Sequence, residues 1–137
     1  MRVIIDTNVV LDVLFEREPF VKAAVDLFCL VEESRIDAFL CATTITTIDY
    51  LLTQSLPASK ARDALRKLIS LFEIATVNRP VIERALGSKV HDFEDAVLDE
   101  AGRMAGVDSI VTRNAKDFTR SALKVFEPNE FLAQFNS

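Results

Sequence analysis

With 137 residues, half of them apolar and 27% charged, the chain has one domain's worth of sequence and enough apolar mass to close a core. That balance excludes disorder, and only 3 Gly and 4 Pro exclude collagen-like and low-complexity classes. Twenty-one acids against 16 bases leave a net charge of −5, which excludes holding nucleic acid by blanket charge neutralisation.

The first element predicted is a strand at Val3-Ile4-Ile5, apolar on both faces, after which Asp6-Thr7-Asn8 opens a helical stretch. A helix follows over about residues 20–33, with Val21, Val25, Phe28, Leu27 and Val31 toward the core. Ala38-Phe39-Leu40-Cys41 reads as a second strand, and Thr43 or Thr44 would cap a helix reaching Gln54. Pro57 breaks the chain. Ala61, Leu65, Leu68, Ile69 and Leu71 then mark an amphipathic helix whose polar face carries Lys60, Arg62, Arg66 and Lys67. A third strand is expected from Phe72 to Val77, and Pro80 starts a helix where proline is tolerated.

After Gly87 a polar link leads to a helix from Asp92 to Ala105, apolar at Phe93, Val97, Ala101 and Met104 or Ala105, and closed by Gly106. Ser109-Ile110-Val111-Thr112 is the fourth strand and Lys124-Val125-Phe126 a fifth, before Pro128 introduces a terminal helix. Short buried strands alternating with helices predict an α/β three-layer sandwich. Its central sheet would be mostly parallel and four- to five-stranded, flanked by helices, with residues 1–137 as a single domain.

Cys29 and Cys41 lack CxxC spacing and read as two buried thiols in a reducing compartment. The start MRVIID meets an acid too early for a signal peptide, and no apolar run nears the roughly 20 residues that span a bilayer. The expected setting is soluble and cytoplasmic, without a membrane partner.

In parallel sheets, chemistry gathers outside the carboxyl ends of the strands. Asp6 stands there, although it would serve equally as a helix N-cap. Asp92, Asp95 and Asp99, spaced by three and four, share a helix face away from the apolar stripe. Capping and the helix dipole also explain acids in a first turn, and Asp99 reads as a solvated surface residue. After the fourth strand, Asn114 and Asp117 offer oxygen atoms while Arg113 and Lys116 offer positive charge; an ordinary polar turn would use the same residues. Should the sheet bring these acids together, repulsion would raise their pKa values unless a hard divalent cation, Mg²⁺ or Mn²⁺, were bound. Such an ion orients water and neutralises charge on a phosphate being cleaved.

Other chemistries have less support. His91 is the sole histidine, and no GxSxG, GxGxxG, P-loop or HExxH sequence occurs. Asn8 sits two residues after Asp6, where one phosphate-transfer pattern requires a second acid.

Three stretches in order, Val3-Ile4-Ile5-Asp6-Thr7-Asn8-Val9-Val10-Leu11-Asp12, Asp92-Phe93-Glu94-Asp95-Ala96 and Val111-Thr112-Arg113-Asn114-Ala115-Lys116-Asp117-Phe118, resemble the PIN domain of VapC-like ribonuclease toxins and related metal-dependent ribonucleases. The resemblance covers nearly the whole chain. It implies an endoribonuclease that hydrolyses RNA with a Mg²⁺- or Mn²⁺-activated water, with an antitoxin protein as partner and pairing as a homodimer. It makes Asp6 and Asp95 the metal carboxylates, Asp92 an extra ligand or supporting acid, and Asn8 a hydrogen-bonding partner around the first carboxylate. Arg113 and Lys116 become candidate phosphate contacts, along with the basic face of Lys60, Arg62, Arg66 and Lys67, for which plain solvation is the simpler account.

Two positions depart from the family pattern. Thr47 takes the place of a Glu early in the third helix, and Asn114 that of a fourth acid, with Asp117 three residues later as its possible substitute. Asp49 lies about 200° around the helix from Thr47 and cannot simply replace the missing acid. The alternative to a nuclease is therefore a catalytically weak or inactive PIN-fold module that binds RNA or protein.

Overall fold

Along β1 (Arg2–Ile5), Val3 and Ile5 point to one side of a sheet and Ile4 to the other, and all three are fully buried. A strand apolar on both sides needs cover on both sides, and the rest of the chain supplies it. The computed structural model describes residues 1–135.

Five parallel strands form the sheet in the order β3-β2-β1-β4-β5, with β2 at Asp37–Cys41, β3 at Glu73–Ala75, β4 at Ser109–Val111 and β5 at Lys124–Phe126. On one face lie α1 (Thr7–Leu14), α2 (Val21–Glu32), α3 (Ala42–Leu52), α4 (Ala58–Leu71) and α7 (Pro128–Ala133), around a core that includes Val3, Ile5, Leu40, Leu27, Ile48 and Phe131. The other face is covered by α5 (Arg79–Leu86) and α6 (Phe93–Ala105), packed on Ile4, Phe39, Cys41 and Ile110. This is the three-layer α/β architecture expected, with five strands and all pairings parallel.

The strand order has a functional consequence. The chain leaves β1 and pairs β2 on one side, then returns through α5 and α6 to place β4 on the other side of β1. Chains that depart in opposite directions leave a crevice at the carboxyl ends of β1 and β4, the place where such sheets bind ligands. Thr112 follows β4 across from Asp6, which follows β1. On the far face α6 comes close enough to β1 that a Cβ at Gly102 would meet Ile4 Cγ2 at 3.0 Å and Val107 Cγ2 at 3.1 Å. Gly106, at φ 78°, ends α6 in the left-handed conformation expected of a helix-closing glycine.

Several local expectations need correction. Val25 and Ile69 lie exposed, because α2 and α4 turn Ala24, Leu27, Leu30 and Leu68 inward instead. Neither Thr43 nor Thr44 caps α3; Cys41 holds the N-cap position, and the buried Thr44 hydroxyl bonds to that of Thr7 at 2.9 Å. In α6 Phe93 and Met104 are exposed, while an unbroken run from Ala96 to Gly102 is buried. Asp99 belongs to that run. It is 2% exposed and accepts a 2.6 Å hydrogen bond from the Ser121 hydroxyl, so it is no solvated surface acid. Burial raises its pKa. Both cysteines are free, but Cys29 is exposed and only Cys41 is buried. No helix among the described residues is long and apolar enough to cross a membrane.

Candidate active site

Asp6 ends β1 and begins α1, with extended backbone at φ −70° and ψ 152°. The two readings of this residue hold at once, since its side chain caps the helix and also stands at the crevice. Its Oδ1 accepts the Thr7 N–H at 2.7 Å and its Oδ2 accepts the Thr112 hydroxyl at 2.7 Å. Thr112 is fully buried, and its Oγ1 accepts the Asn114 N–H at 3.0 Å and the Asn8 Nδ2–H at 3.5 Å. With those donors on the oxygen, the single hydroxyl proton is left for Asp6.

Asn8 also accepts the Arg113 backbone N–H at 3.3 Å through Oδ1. One helical turn later, Asp12 is 1% exposed and takes the Arg113 guanidinium in a two-point bond, Nε to Oδ2 at 2.6 Å and Nη2 to Oδ1 at 3.1 Å. The guanidinium also lies 4.0 Å from the centroid of the Phe20 ring. Residues four apart share a helix face, so Asn8 and Asp12 together fasten the segment after β4 alongside Asp6. Arg113 is thus largely engaged within the protein, where the sequence suggested a phosphate contact.

The opposite wall is the start of α6. Asp92 caps the helix, its Oδ1 accepting the Asp95 N–H at 3.0 Å. Asp95, in the first turn, is half-buried, and its carboxyl is raised to about 7. Burial contributes most to this shift, followed by the negative charges of Asp6, Asp92, Asp117 and Glu94. Asp6 is also shifted upward by burial and by repulsion from Glu94 and Asp117, against the lowering effect of the bonds from Thr112 and Thr7. Such mutual repulsion requires these acids to share one space. Asp117 comes from the 3₁₀ turn Ala115–Phe118, where its N–H bonds to the Asn114 carbonyl at 2.9 Å. Asn114 is exposed, and Lys116, Asp117, Asp92 and Asp95 line a hollow of about 550 Å³ with Lys89 and Arg120.

Glu94 is the residue that sequence reasoning passed over. It lies within the stretch Asp92-Phe93-Glu94-Asp95-Ala96, a single step of about 100° around the helix from Asp95, and was given no role there. In three dimensions the Thr47 hydroxyl lies 3.3 Å from Glu94 Oε1 as its donor. The side of α3 that lacks a carboxylate at Thr47 therefore meets one from α6. The only signal available in the sequence was the run of acids itself, because the contact spans 47 residues.

The donors present are carboxylate oxygens, the chemistry preferred by Mg²⁺ or Mn²⁺. Among the described residues no three acid, His or Cys side chains converge closely enough to chelate an ion as they stand. The acid set fits an ion that keeps much of its water, held by one or two carboxylates as Mg²⁺ commonly is.

A family model described as PIN domain matches residues 2–116. Ribonuclease VapC1 of Aquifex aeolicus (strain VF5) is 25% identical over 141 residues, covering 99% of this chain and 96% of that protein. Among solved structures, VapBC2 of Rickettsia felis bound to a promoter DNA fragment aligns with TM-score 0.70 and 14% identity, over 93% of this chain and 98% of that one. A toxin–antitoxin complex from Klebsiella pneumoniae aligns with TM-score 0.69 and 22% identity, over 92% and 97%. The match spans the β1 end, the α6 start and the segment after β4, which together form the crevice, and this chain belongs to the PIN domain family.

Proposed function

We propose that this protein is a divalent-metal-dependent endoribonuclease and the toxin component of a toxin–antitoxin pair. The observation that carries the reading is the crowding of Asp6, Asp95, Glu94 and Asp117 at the β1–β4 crevice, where Asp95 is pushed up to about 7. Family membership and the relatives named above support it.

In this reading Asp6 and Asp95 would hold Mg²⁺ or Mn²⁺, with Glu94 and Asp117 adding negative charge beside them. When bound, the ion supplies Lewis-acid chemistry, offsetting charge on the RNA phosphate and lowering the pKa of a water. Thr112 and the Thr7 N–H hold the Asp6 carboxylate in a single orientation. Asn8 and Asp12 keep the segment after β4 in register with it. Asp92 fixes the first turn of α6, and Thr47 orients Glu94. Lys116 stands on the wall of the hollow and meets phosphate. The partners are an RNA substrate, an antitoxin protein and a second copy of this chain, and the setting is the cytoplasm.

A second reading has its own observation. Thr47 and Asn114 stand where acids are usual, which favours a PIN-fold module that binds RNA or protein without cutting. Cleavage of a mixed single-stranded RNA pool in Mn²⁺, Mg²⁺ and EDTA separates the two readings, using wild type and an identically purified Asp6→Asn variant. Metal-dependent cutting reduced about 100-fold or more in the variant is the expected result. Equal behaviour of two folded, metal-supplied proteins would leave the binding module.

A further inference from the structure

The hollow beside Asp92, Asp95 and Asp117 continues into another. Lys89 and Arg120 line both, and the second, about 350 Å³ in volume, adds Arg84 and Arg103 between the end of α5 and the middle of α6. We propose that single-stranded RNA runs out of the carboxylate site along this cleft, its phosphates held by Arg84, Lys89 and Arg120. The proposal rests on the ribonuclease reading and identifies where the strand beyond the scissile phosphate lies.

The balance of committed and spare charge carries the inference. Three acids line the second hollow, and two of them are held in ion pairs. Glu83 pairs with Arg79 at 2.9 Å; Glu100 pairs with Arg103 at 3.2 Å through Oε1, while its Oε2 is buried without a partner among the described residues; and Asp99 is buried with the Ser121 hydroxyl as its donor. Arg84, Lys89 and Arg120 are exposed and form no ion pair among the described residues. Arg84 lies in the last turn of α5, where the helix dipole favours a cation without consuming its charge. The cleft is thus a local source of positive potential on a protein of net charge −5. It adjoins a site whose own acids repel RNA.

Cations flanking a carboxylate cluster answer two requirements of a nuclease. Phosphate contacts fix the register of a strand without reading its sequence. They also offset the repulsion that the acids exert on phosphates that are not being cut.

The basic face of α4 is less well placed. Arg66 is paired with Asp63, and Lys60 and Lys67 line a different hollow together with Leu14 and Phe28. Leu14 is the last residue of α1, the helix that Asp6 begins, and so lies about 12 Å down that helix from the site. A strand threading the carboxylates meets the α5–α6 cleft first.

The test is equilibrium binding of a fluorescent single-stranded RNA of mixed sequence to the full chain carrying Asp6→Asn, in Mg²⁺ over a range of salt. On that background, Arg84→Ala, Lys89→Ala and Arg120→Ala are combined and compared with Lys60→Ala and Lys67→Ala on α4. Three lost phosphate contacts should flatten the plot of log K against log salt by about 2 and weaken binding at least about tenfold. The α4 pair should change neither. Arg84→Lys with Arg120→Lys, which keeps the charge, should keep the slope and excludes a folding defect as the cause. An unchanged slope in the triple variant, or a flattened one in the α4 pair, would overturn the proposal. Failure of the ribonuclease reading would look different, as wild type that binds RNA through this cleft yet cuts nothing in Mn²⁺.

Discussion

Asp6 and Asp95 face the same crevice from opposite sides, and the protein treats them differently. On the β1–β4 side almost every polar group has a partner: Asp6 takes two hydrogen bonds, Thr112 is fully buried between Asp6 and Asn114, and Asp12 grips Arg113 at two points. On the α6 side, no hydrogen bond reaches the Asp95 carboxylate among the described residues, and four neighbouring acids raise its pKa together with burial. One wall supplies geometry and the other supplies unbalanced charge. A site with both walls rigid and satisfied would have little use for a cation, and one with both walls crowded would not hold an ion in place.

The largest effect is expected from breaking the rigid wall. Asp12→Ala strands the partly buried Arg113 guanidinium and should cost about 3 kcal/mol, the scale for halving a buried ion pair. Thermal or urea denaturation measures it, and a loss below about 1 kcal/mol would show that the pair is no more than a surface contact. Thr112→Val removes the hydroxyl donor to Asp6 and the acceptor of the Asn114 N–H. It should cost about 1–2 kcal/mol and raise the Asp6 pKa further, a shift that carboxylate NMR titration can follow.

Smaller effects sharpen the charged wall. The folded-state pKa of Asp95, about 7, lies above its ordinary 3.8, so folding favours the protonated form. Its contribution to stability is therefore complete below about pH 3.8 and is lost as pH rises through 7. In EDTA, Asp95→Asn should gain on wild type as pH rises from 4 to 7, read as a growing difference in Tm. Saturating Mn²⁺ at pH 7 should remove that gain, since it stabilises only a protein that binds it. A pH-independent difference would mean that burial and the neighbouring acids do not raise the Asp95 carboxyl. Glu94→Gln is the mildest change, expected to weaken Mn²⁺ binding by roughly threefold to tenfold in a calorimetric titration, about 1 kcal/mol of charge interaction at an exposed position.

Each of these walls was legible in part from the sequence. Asp6 was visible because a fully apolar strand stops at an acid, and Asp92 and Asp95 because helix-start chemistry and spacing mark them. The five strands and most helix limits followed from the same periodicities. The phase of a helix is harder to read, because the face that turns inward depends on what covers it. Val25 and Ile69 lie outside for that reason, and Asp99 lies inside, where the segment before β5 meets it at Ser121. The Asp12–Arg113 bond and the Thr47–Glu94 contact join residues 101 and 47 positions apart, and no local pattern reports on such pairs. Glu94 was not singled out, because what places it is its contact with Thr47 of α3 and not a pattern within its own helix.

Gly102 ties the interior to the chemistry. Asp6 ends the strand on which α6 rests at Gly102, and Asp95 begins that same helix about two turns away. A methyl group at 102 would press on Ile4 and Val107 at 3.0 and 3.1 Å, so those side chains must give or α6 must shift and carry Asp95 with it. The gap between the two carboxylates is therefore adjustable from inside the core. The spacing of the two carboxylates thus depends on a residue that touches neither of them.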